Sequence, residues 1–557
     1  MLLATPEPEM AEEPSCAIRR AEEGEGIDMK RAAMAVAGAL TLMSGAARAQ
    51  NGPPRPVILT DRGLVRGVQT ANGNEFLGIP YAAPPVGNLR WRAPQPAASW
   101  TTPRDASAFA NHCSQNASPF GVASTTEDCL YLNVYTPQGP PARSLTRPVM
   151  VYIHGGAFQT GESDDYGTRR LLAQGVVVVT INYRLGALGF MANSALAAES
   201  AQGSTGNYGI MDQQAALQWV QRNIARFGGN AANVTIFGES AGGLSVHTHL
   251  ASPGSNGLFA QAIAESGSYA VTQPSLSAAE AAGAAYASSV GCNATDTACL
   301  RSVSVSTLLA NQSLSATAYM PVVDGSVLPQ SIGPAFASGQ FNHVPVVLGT
   351  NHDEFRLFVA LLFELPNGPI TAAQYPAYVA ALLGLPPPVA AQVVPVVIAE
   401  YPLSSYPSPA VALGASGTDA AFSCNALALE GSLAQYVPLW AYEFNDPNAP
   451  QRFLPPVSFP YGAYHAAELQ YLFDLPVTVP APALTADQEQ LASAIDSYWT
   501  SFASRANPNS PATPQWAPLA SSGSFESLVP PTPQSYTATA FAADHKCSFW
   551  QAIASAQ

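Results

Sequence analysis

A chain of 557 residues that is 47% hydrophobic and 11% charged can bury a large core, which excludes an intrinsically disordered protein. Its formal charge of −15, with lysine confined to Lys30 and Lys546, excludes nucleic acid or an anionic membrane as partner, because both require clustered cations. An acidic, solvated surface accounts for the charge.

In chain order, residues 1–28 carry eight acids (Glu7, Glu9, Glu12, Glu13, Glu22, Glu23, Glu25 and Asp28) against Arg19 and Arg20. That is unfavourable ahead of an export signal, so they read as a non-native extension, with translation expected to start at Met29. Lys30-Arg31 then leads into an apolar run from Ala32 to Leu42, and Ala47-Arg48-Ala49 offers a small-x-small cleavage site. This is the pattern of a signal peptide over 29–49, too short to anchor in a bilayer. The expectation is a periplasmic or secreted protein with no membrane anchor and a single domain over 50–557. Of seven cysteines, Cys16 precedes the cleavage site and six follow it: Cys113, Cys129, Cys292, Cys299, Cys424 and Cys547. An even number suits three disulfides in an oxidising compartment. No Cys-x2–4-Cys or Cys/His pair has the spacing of zinc ligands, so no metal is expected.

Val57–Leu59, Leu64–Gln69 and Glu75–Leu77 are predicted as short strands, with Asn72-Gly73 as a hairpin turn. Val149–Ile153 and Val176–Ile181 are β-branched runs typical of strands buried on both faces, and Pro148 is tolerable where a strand begins. Met211 to Phe227 has apolar residues at Leu217, Val220, Ile224 and Phe227, a helical spacing ended by Gly228-Gly229. Val234–Phe237, Ala262–Glu265, Val344–Leu348 and Leu439–Phe444 add strands. Strands alternating with helices predict an α/β fold: a mostly parallel sheet, helices on both faces, and a helical cap from about 275 to 340 and 360 to 435 over its carboxyl edge.

Gly238-Glu239-Ser240-Ala241-Gly242 directly follows the Val234–Phe237 run. A strand that breaks into Gly-x-Ser-x-Gly and then a helix forces the serine onto a sharp turn, its hydroxyl beyond the sheet. The pentapeptide alone is weak, and its neighbours give it weight. His154-Gly155-Gly156-Ala157 leaves the strand ending at Ile153, where small residues let the N–H groups of Gly156 and Ala157 converge with that of Ala241 on an oxyanion. Asp353 and Glu354 sit just past a buried strand, and His465 lies in a loop after Leu439–Phe444. The other histidines fit less well: His112 and His545 border cysteines, and His343 is on a loop. His247 and His249, two apart on a helix, share no face, and His352 is too near the carboxylates.

Three segments then resemble a known family. Phe76-Leu77-Gly78-Ile79-Pro80-Tyr81-Ala82 with Pro84-Pro85, Gly87 and Leu89-Arg90 resembles the N-terminal signature of the type-B carboxylesterase/lipase group of α/β-hydrolases. Glu127-Asp128-Cys129-Leu130-Tyr131-Leu132-Asn133-Val134 resembles its second signature, and Phe237 to Gly243 its nucleophile segment. The resemblance runs from about Gly63 to Trp550. It implies an α/β-hydrolase fold and a serine carboxylesterase that needs no cofactor and acts on a small-molecule ester. It further implies Ser240 as nucleophile, His465 as base and Glu354, in preference to Asp353, as orienting acid. Ser266 matches a serine that hydrogen-bonds this acid. Arg90 with Glu127 and Arg184 with Asp212 match buried ion pairs, and the implied disulfides are Cys113–Cys129, Cys292–Cys299 and Cys424–Cys547.

Departures narrow the substrate. The loop between Cys113 and Cys129 is short, with Phe120 its only aromatic, so neither a choline-binding tryptophan nor a long lipase flap can be built from it. Phe355 stands where the family usually has glycine, and it is a candidate for the substrate pocket with Phe158; Arg356, which follows, reads as a helix-surface or ion-pair arginine, with the pocket as the alternative. Arg356 facing that pocket would favour a carboxylate-bearing ester such as the tricarballylate esters of fumonisin. An amidase, carbamate hydrolase or lipase on the same triad is the alternative. A non-catalytic adhesion-type member is disfavoured because the whole triad is present.

Overall fold

The computed structural model describes residues 55–139, 146–313 and 318–555. The acidic segment, the signal-peptide segment and Cys16 lie outside the described residues.

The apolar runs assemble into an eleven-stranded sheet. From edge to edge its strands are Gln534–Thr537, Ser524–Leu528, Leu439–Phe444, Val346–Asn351, Gln261–Glu265, Gly229–Glu239, Arg147–Ile153, Val177–Ile181, Tyr131–Pro137, Gly73–Pro80 and Val68–Gln69. Neighbours from Ser524–Leu528 through Val177–Ile181 are parallel, and the strands outside them are antiparallel. Side chains alternate between two apolar cores on the two faces. Val149, Val151 and Ile153 enter one core, Met150 and Tyr152 the other. The β-branched runs therefore find apolar surroundings on both sides, as a doubly covered parallel sheet requires.

The predicted Leu64–Gln69 strand divides at Gly67, whose N–H turns away to the carbonyl of Pro56 at 2.9 Å. Leu64–Arg66 joins a separate small sheet with Val57–Leu59 and Arg104–Asp105, while Val68–Gln69 pairs in the large one. Tyr131–Pro137, Ser524–Leu528 and Gln534–Thr537 are strands that periodicity did not reveal, because polar residues interrupt them. In the first of these Asn133 is buried yet satisfied: it accepts from the N–H of Gly78 at 2.9 Å and donates to Ser163 Oγ and Thr180 Oγ1, each at 3.0 Å. The predicted helix is Tyr208–Asn223, continued by a tight turn at Ile224–Phe227 and ended by Gly228 at φ 82°.

Two long excursions leave the sheet at strand ends. Helices between Leu276 and Ala337 separate Gln261–Glu265 from Val346–Asn351, and helices between Phe355 and Leu433 separate Val346–Asn351 from Leu439–Phe444. The second contains two π-helical turns, Ala360–Glu364 and Asp419–Ser423. The disulfides are Cys113–Cys129, Cys292–Cys299 and Cys424–Cys547. No helix among the described residues is long and apolar enough to cross a membrane.

Both ion pairs form at depth. Arg90 grips Glu127 through Nε at 2.7 Å and Nη2 at 2.6 Å. Arg184 grips the fully buried Asp212 through Nε at 2.7 Å, Nη2 at 2.8 Å and its own N–H at 3.1 Å. Asp212→Ala strands the Arg184 cation in the core, and the expected loss is about 3–5 kcal/mol of unfolding free energy in urea denaturation.

Candidate active site

Ser240 follows the last residue of Gly229–Glu239 and precedes the helix Ala241–Ala251. Its backbone is strained, at φ 59° and ψ −120°, as the elbow requires. The carbonyl of Glu265 on the neighbouring strand accepts the Ser240 N–H at 2.9 Å. Glycine at 242 is obligatory: a Cβ there would lie 1.9 Å from the carbonyl oxygen of Ile153. Ala241 opens the helix, so its N–H has no intrahelical acceptor and is free for a ligand.

The glycine turn after Ile153 lies against this elbow. A Cβ at Gly155 would lie 2.8 Å from the Glu239 carbonyl oxygen and 3.1 Å from Ser240 Cβ. Gly156 (φ 98°) and Ala157 (φ 55°) have left-handed backbones, and the Gly156 carbonyl accepts from the N–H groups of Gln159 and Thr160. His154 supports the turn from behind. Its ring stacks on Tyr183, whose hydroxyl donates to the His154 carbonyl at 2.8 Å, and burial pushes its pKa down to about 4.

Glu354 and His465 meet across 111 residues: Nδ1 of His465 lies 2.6 Å from Oε2 of the fully buried Glu354. The other carboxylate oxygen accepts the Asn351 N–H at 2.8 Å. His465 Nε2 is buried and makes no hydrogen bond, so Ser240 Oγ lies outside hydrogen-bonding geometry. Asp353 is otherwise engaged: it pairs with Arg356 at 2.8 Å and accepts the Ala463 N–H at 3.0 Å.

Several expected roles change. Ser266 Oγ is buried without a partner, and the hydrogen bond to the acid that the resemblance implies comes instead from the Asn351 backbone, inside the turn carrying Glu354. Phe158 is fully buried and packs on Phe190 at 4.7 Å, so it braces the glycine turn from the core instead of lining a pocket. Arg356 takes its ion-pair reading rather than the pocket alternative: it is tied to Asp353 at 2.8 Å and donates to the Pro460 carbonyl at 3.1 Å, so it is not a free cation for a substrate carboxylate. Phe355 is half-buried and stacks near Phe358 at 5.2 Å.

Other residues were not legible beforehand. Phe358 and Phe422 flank the His465 ring at 5.0 and 5.1 Å. Phe358 is one helical turn beyond Glu354, a spacing that could have pointed to it, whereas Phe422 arrives on a π-helical turn. Glu239 Oε1 lies 3.2 Å from His465 Nε2. Burial, then the charges of Glu354 and Glu265, push Glu239 well above the usual carboxyl range. Burial likewise raises Glu265 to about 7, opposed by the Trp499 indole N–H donating at 2.8 Å, and raises Glu468 well above the carboxyl range. Gln115, two residues past Cys113, clamps the glycine turn: its Oε1 accepts the Gly161 N–H at 2.7 Å, and its Nε2 donates to the Gly161 carbonyl and to Glu162, both at 3.1 Å.

Comparison with known proteins gives a consistent picture. A profile described as the carboxylesterase family matches residues 54–550. The chain is 34% identical over 479 residues to para-nitrobenzyl esterase of Bacillus subtilis (strain 168), covering 82% of this chain and 91% of that protein. It is 37% identical over 461 residues to fumonisin B1 esterase of Sphingopyxis macrogoltabida, covering 80% of each. It is 35% identical to human cocaine esterase over 483 residues, covering 82% of each. A solved PNB esterase structure superposes with a TM-score of 0.72 at 31% identity, covering 88% of this chain and all of that one.

Two measurements follow. Gln115→Ala leaves the buried Gly161 N–H unpaired, and we expect a loss of about 1–3 kcal/mol of stability together with a fall in kcat of about tenfold and little change in KM, because the glycine turn loosens. Glu265 has a folded pKa above its unfolded value, so its contribution is complete below about pH 4.5 and is lost as pH rises towards 7. Glu265→Gln removes that loss, so the variant should gain stability relative to wild type between pH 5 and 7.5 in urea melts.

Proposed function

The chain belongs to the carboxylesterase family and is a carboxylic ester hydrolase, and from that premise we propose that Ser240, His465 and Glu354 carry its turnover through an acyl-enzyme. The observation that supports this most is a single imidazole with two different ends: Nδ1 is tied to buried Glu354, while Nε2 makes no hydrogen bond and has only the Glu239 carboxyl beside it at 3.2 Å. Glu354 selects the tautomer in which Nδ1–H donates to it, leaving the Nε2 lone pair as the base. His465 takes the Ser240 proton as Oγ attacks the ester carbonyl. The N–H groups of Gly156, Ala157 and Ala241 stabilise the tetrahedral oxyanion. His465 then protonates the departing alcohol, and water, activated by the same base, hydrolyses the acyl-enzyme.

The substrate is a soluble ester of small to medium size. The short disulfide loop supplies no flap, and its one aromatic, Phe120, is engaged with Phe453 at 5.3 Å. The likeness to fumonisin B1 esterase keeps fumonisin B1 among the substrates to test, although Arg356 gives no support for it. Three disulfides fit an exported protein, with residues 29–49 as its leader and Gln50 as the expected first residue on N-terminal sequencing.

Para-nitrophenyl esters from acetate to laurate, with fumonisin B1 and an anilide alongside, test the reading. Hydrolysis should concentrate on short acyl chains. Ser240→Ala should lower kcat about 10⁴-fold or more and Glu354→Gln by about 10³-fold or more. Asp353→Asn should lower it far less. A larger loss in the Asp353 variant than in the Glu354 variant would reverse the assignment of the acid.

A further inference from the structure

Four side chains remote in sequence converge beyond the site described above. His352 follows the strand Val346–Asn351, Glu443 lies near the end of Leu439–Phe444, and Asp544 and His545 follow each other at the end of the helix Ala538–Asp544. His352, Glu443 and His545 each offer one ligating atom, and the three atoms lie within 4.8 Å of one another. Asp544 Oδ2 sits 3.2 Å from His352 Nε2 and holds that ring from outside the group of three. We propose that this cluster is a binding site for one divalent transition-metal ion of the zinc class, separate from the ester-hydrolysing residues.

The outer contacts are those a metal site needs. Ligating histidines almost always hold their second nitrogen on a carboxylate or carbonyl, which fixes ring orientation. His545 faces Glu443 Oε1 through Nε2 at 2.6 Å and Asp419 Oδ1 through Nδ1 at 2.6 Å. His352 meets Asp353 at Nδ1 and Asp544 at Nε2, both at 3.2 Å, so whichever nitrogen turns to an ion, the other keeps a carboxylate. The carboxylates are held in turn: Tyr536 donates to Glu443 Oε2 at 2.7 Å and Tyr401 to Asp419 Oδ2 at 2.6 Å.

Distances and access agree. Ligand atoms around a tetrahedral zinc ion stand about 3.3 Å apart, from bonds of about 2.0–2.1 Å. The separations here, from 2.6 to 4.8 Å, bracket that value, so side-chain rotations suffice. Glu443 and His545 are buried, whereas the side chains of His352 and Asp544 are 32% and 62% exposed, which leaves one side open for entry. Two imidazoles with carboxylates favour zinc and its neighbours over calcium or magnesium. The ion replaces protons now shared between nitrogen and oxygen, so binding releases protons and weakens as pH falls. It would tie the Asp544-His545 segment to two strand ends and stiffen the turn from His352 to Glu354.

The test uses the full chain, stripped with a chelator and titrated with Zn²⁺ by calorimetry and against a chromophoric chelator. We expect one ion per chain, proton release, a higher melting temperature with Zn²⁺, and affinity about tenfold or more weaker in His352→Asn and in Asp544→Asn. Both positions are partly exposed, so these variants should fold even where Glu443→Gln or His545→Gln does not. No saturable one-to-one binding would overturn the proposal and leave a proton-bridged network only. Unchanged affinity in both variants would also overturn it, because the ion would then sit elsewhere, for instance on the His112–Asp164 pair.

Discussion

Parallel register at the centre of the sheet is the constraint on which the rest depends. Ile153 lies opposite Gly238, Glu239 opposite Glu265, and Glu265 opposite Gly349. Parallel strands discharge their connections at one edge, so the glycine turn, the serine elbow and the turn carrying Glu354 all emerge side by side. Slippage by one residue would turn every side chain of a strand to the opposite core, and both cores are apolar and packed. The register is therefore held by burial across the whole sheet, and the site inherits its precision from bulk hydrophobic packing.

That packing also sustains an unfavourable local arrangement. Glu239, Glu265, Glu354 and Glu468 are all buried around the base, and their mutual repulsion adds to desolvation in raising Glu239 and Glu468. Ser240 and Ala157 hold left-handed backbones that side chains disfavour. Neither feature is stable by itself. Each persists because strands, the Cys113–Cys129 loop and the C-terminal helices over-determine the positions, with Gln115 and Trp499 as the specific contacts.

Arg356 illustrates how a structural neighbour changes the meaning of a charge. In sequence it follows Glu354 closely and reads either as a surface or ion-pair arginine or, at the pocket, as a group for an anionic substrate. In the fold Asp353 lies three residues earlier on the same turn and takes its guanidinium, so one ion pair occupies both Arg356 and the carboxylate next to Glu354. Ser266 shows the reverse case, in which a local backbone N–H replaces the expected side-chain contact.

The sequence by itself determined the strands of the parallel centre, the elbow at Ser240 and the glycine turn, and it singled out Glu354 and His465 as candidates to stand beside that elbow. These are local signals: β-branched runs, glycines at forced approaches and a strand broken into a helix leave their mark within a few residues. The last two strands, Ser524–Leu528 and Gln534–Thr537, the aromatic walls Phe358 and Phe422, the Gln115 clamp and the grouping of His352, Glu443, Asp544 and His545 were decided only by the tertiary structure. Their contacts join residues up to about two hundred apart, a separation at which no spacing rule applies. Periodicity records which side of an element faces the core, but the partner it meets there depends on how the layers stack.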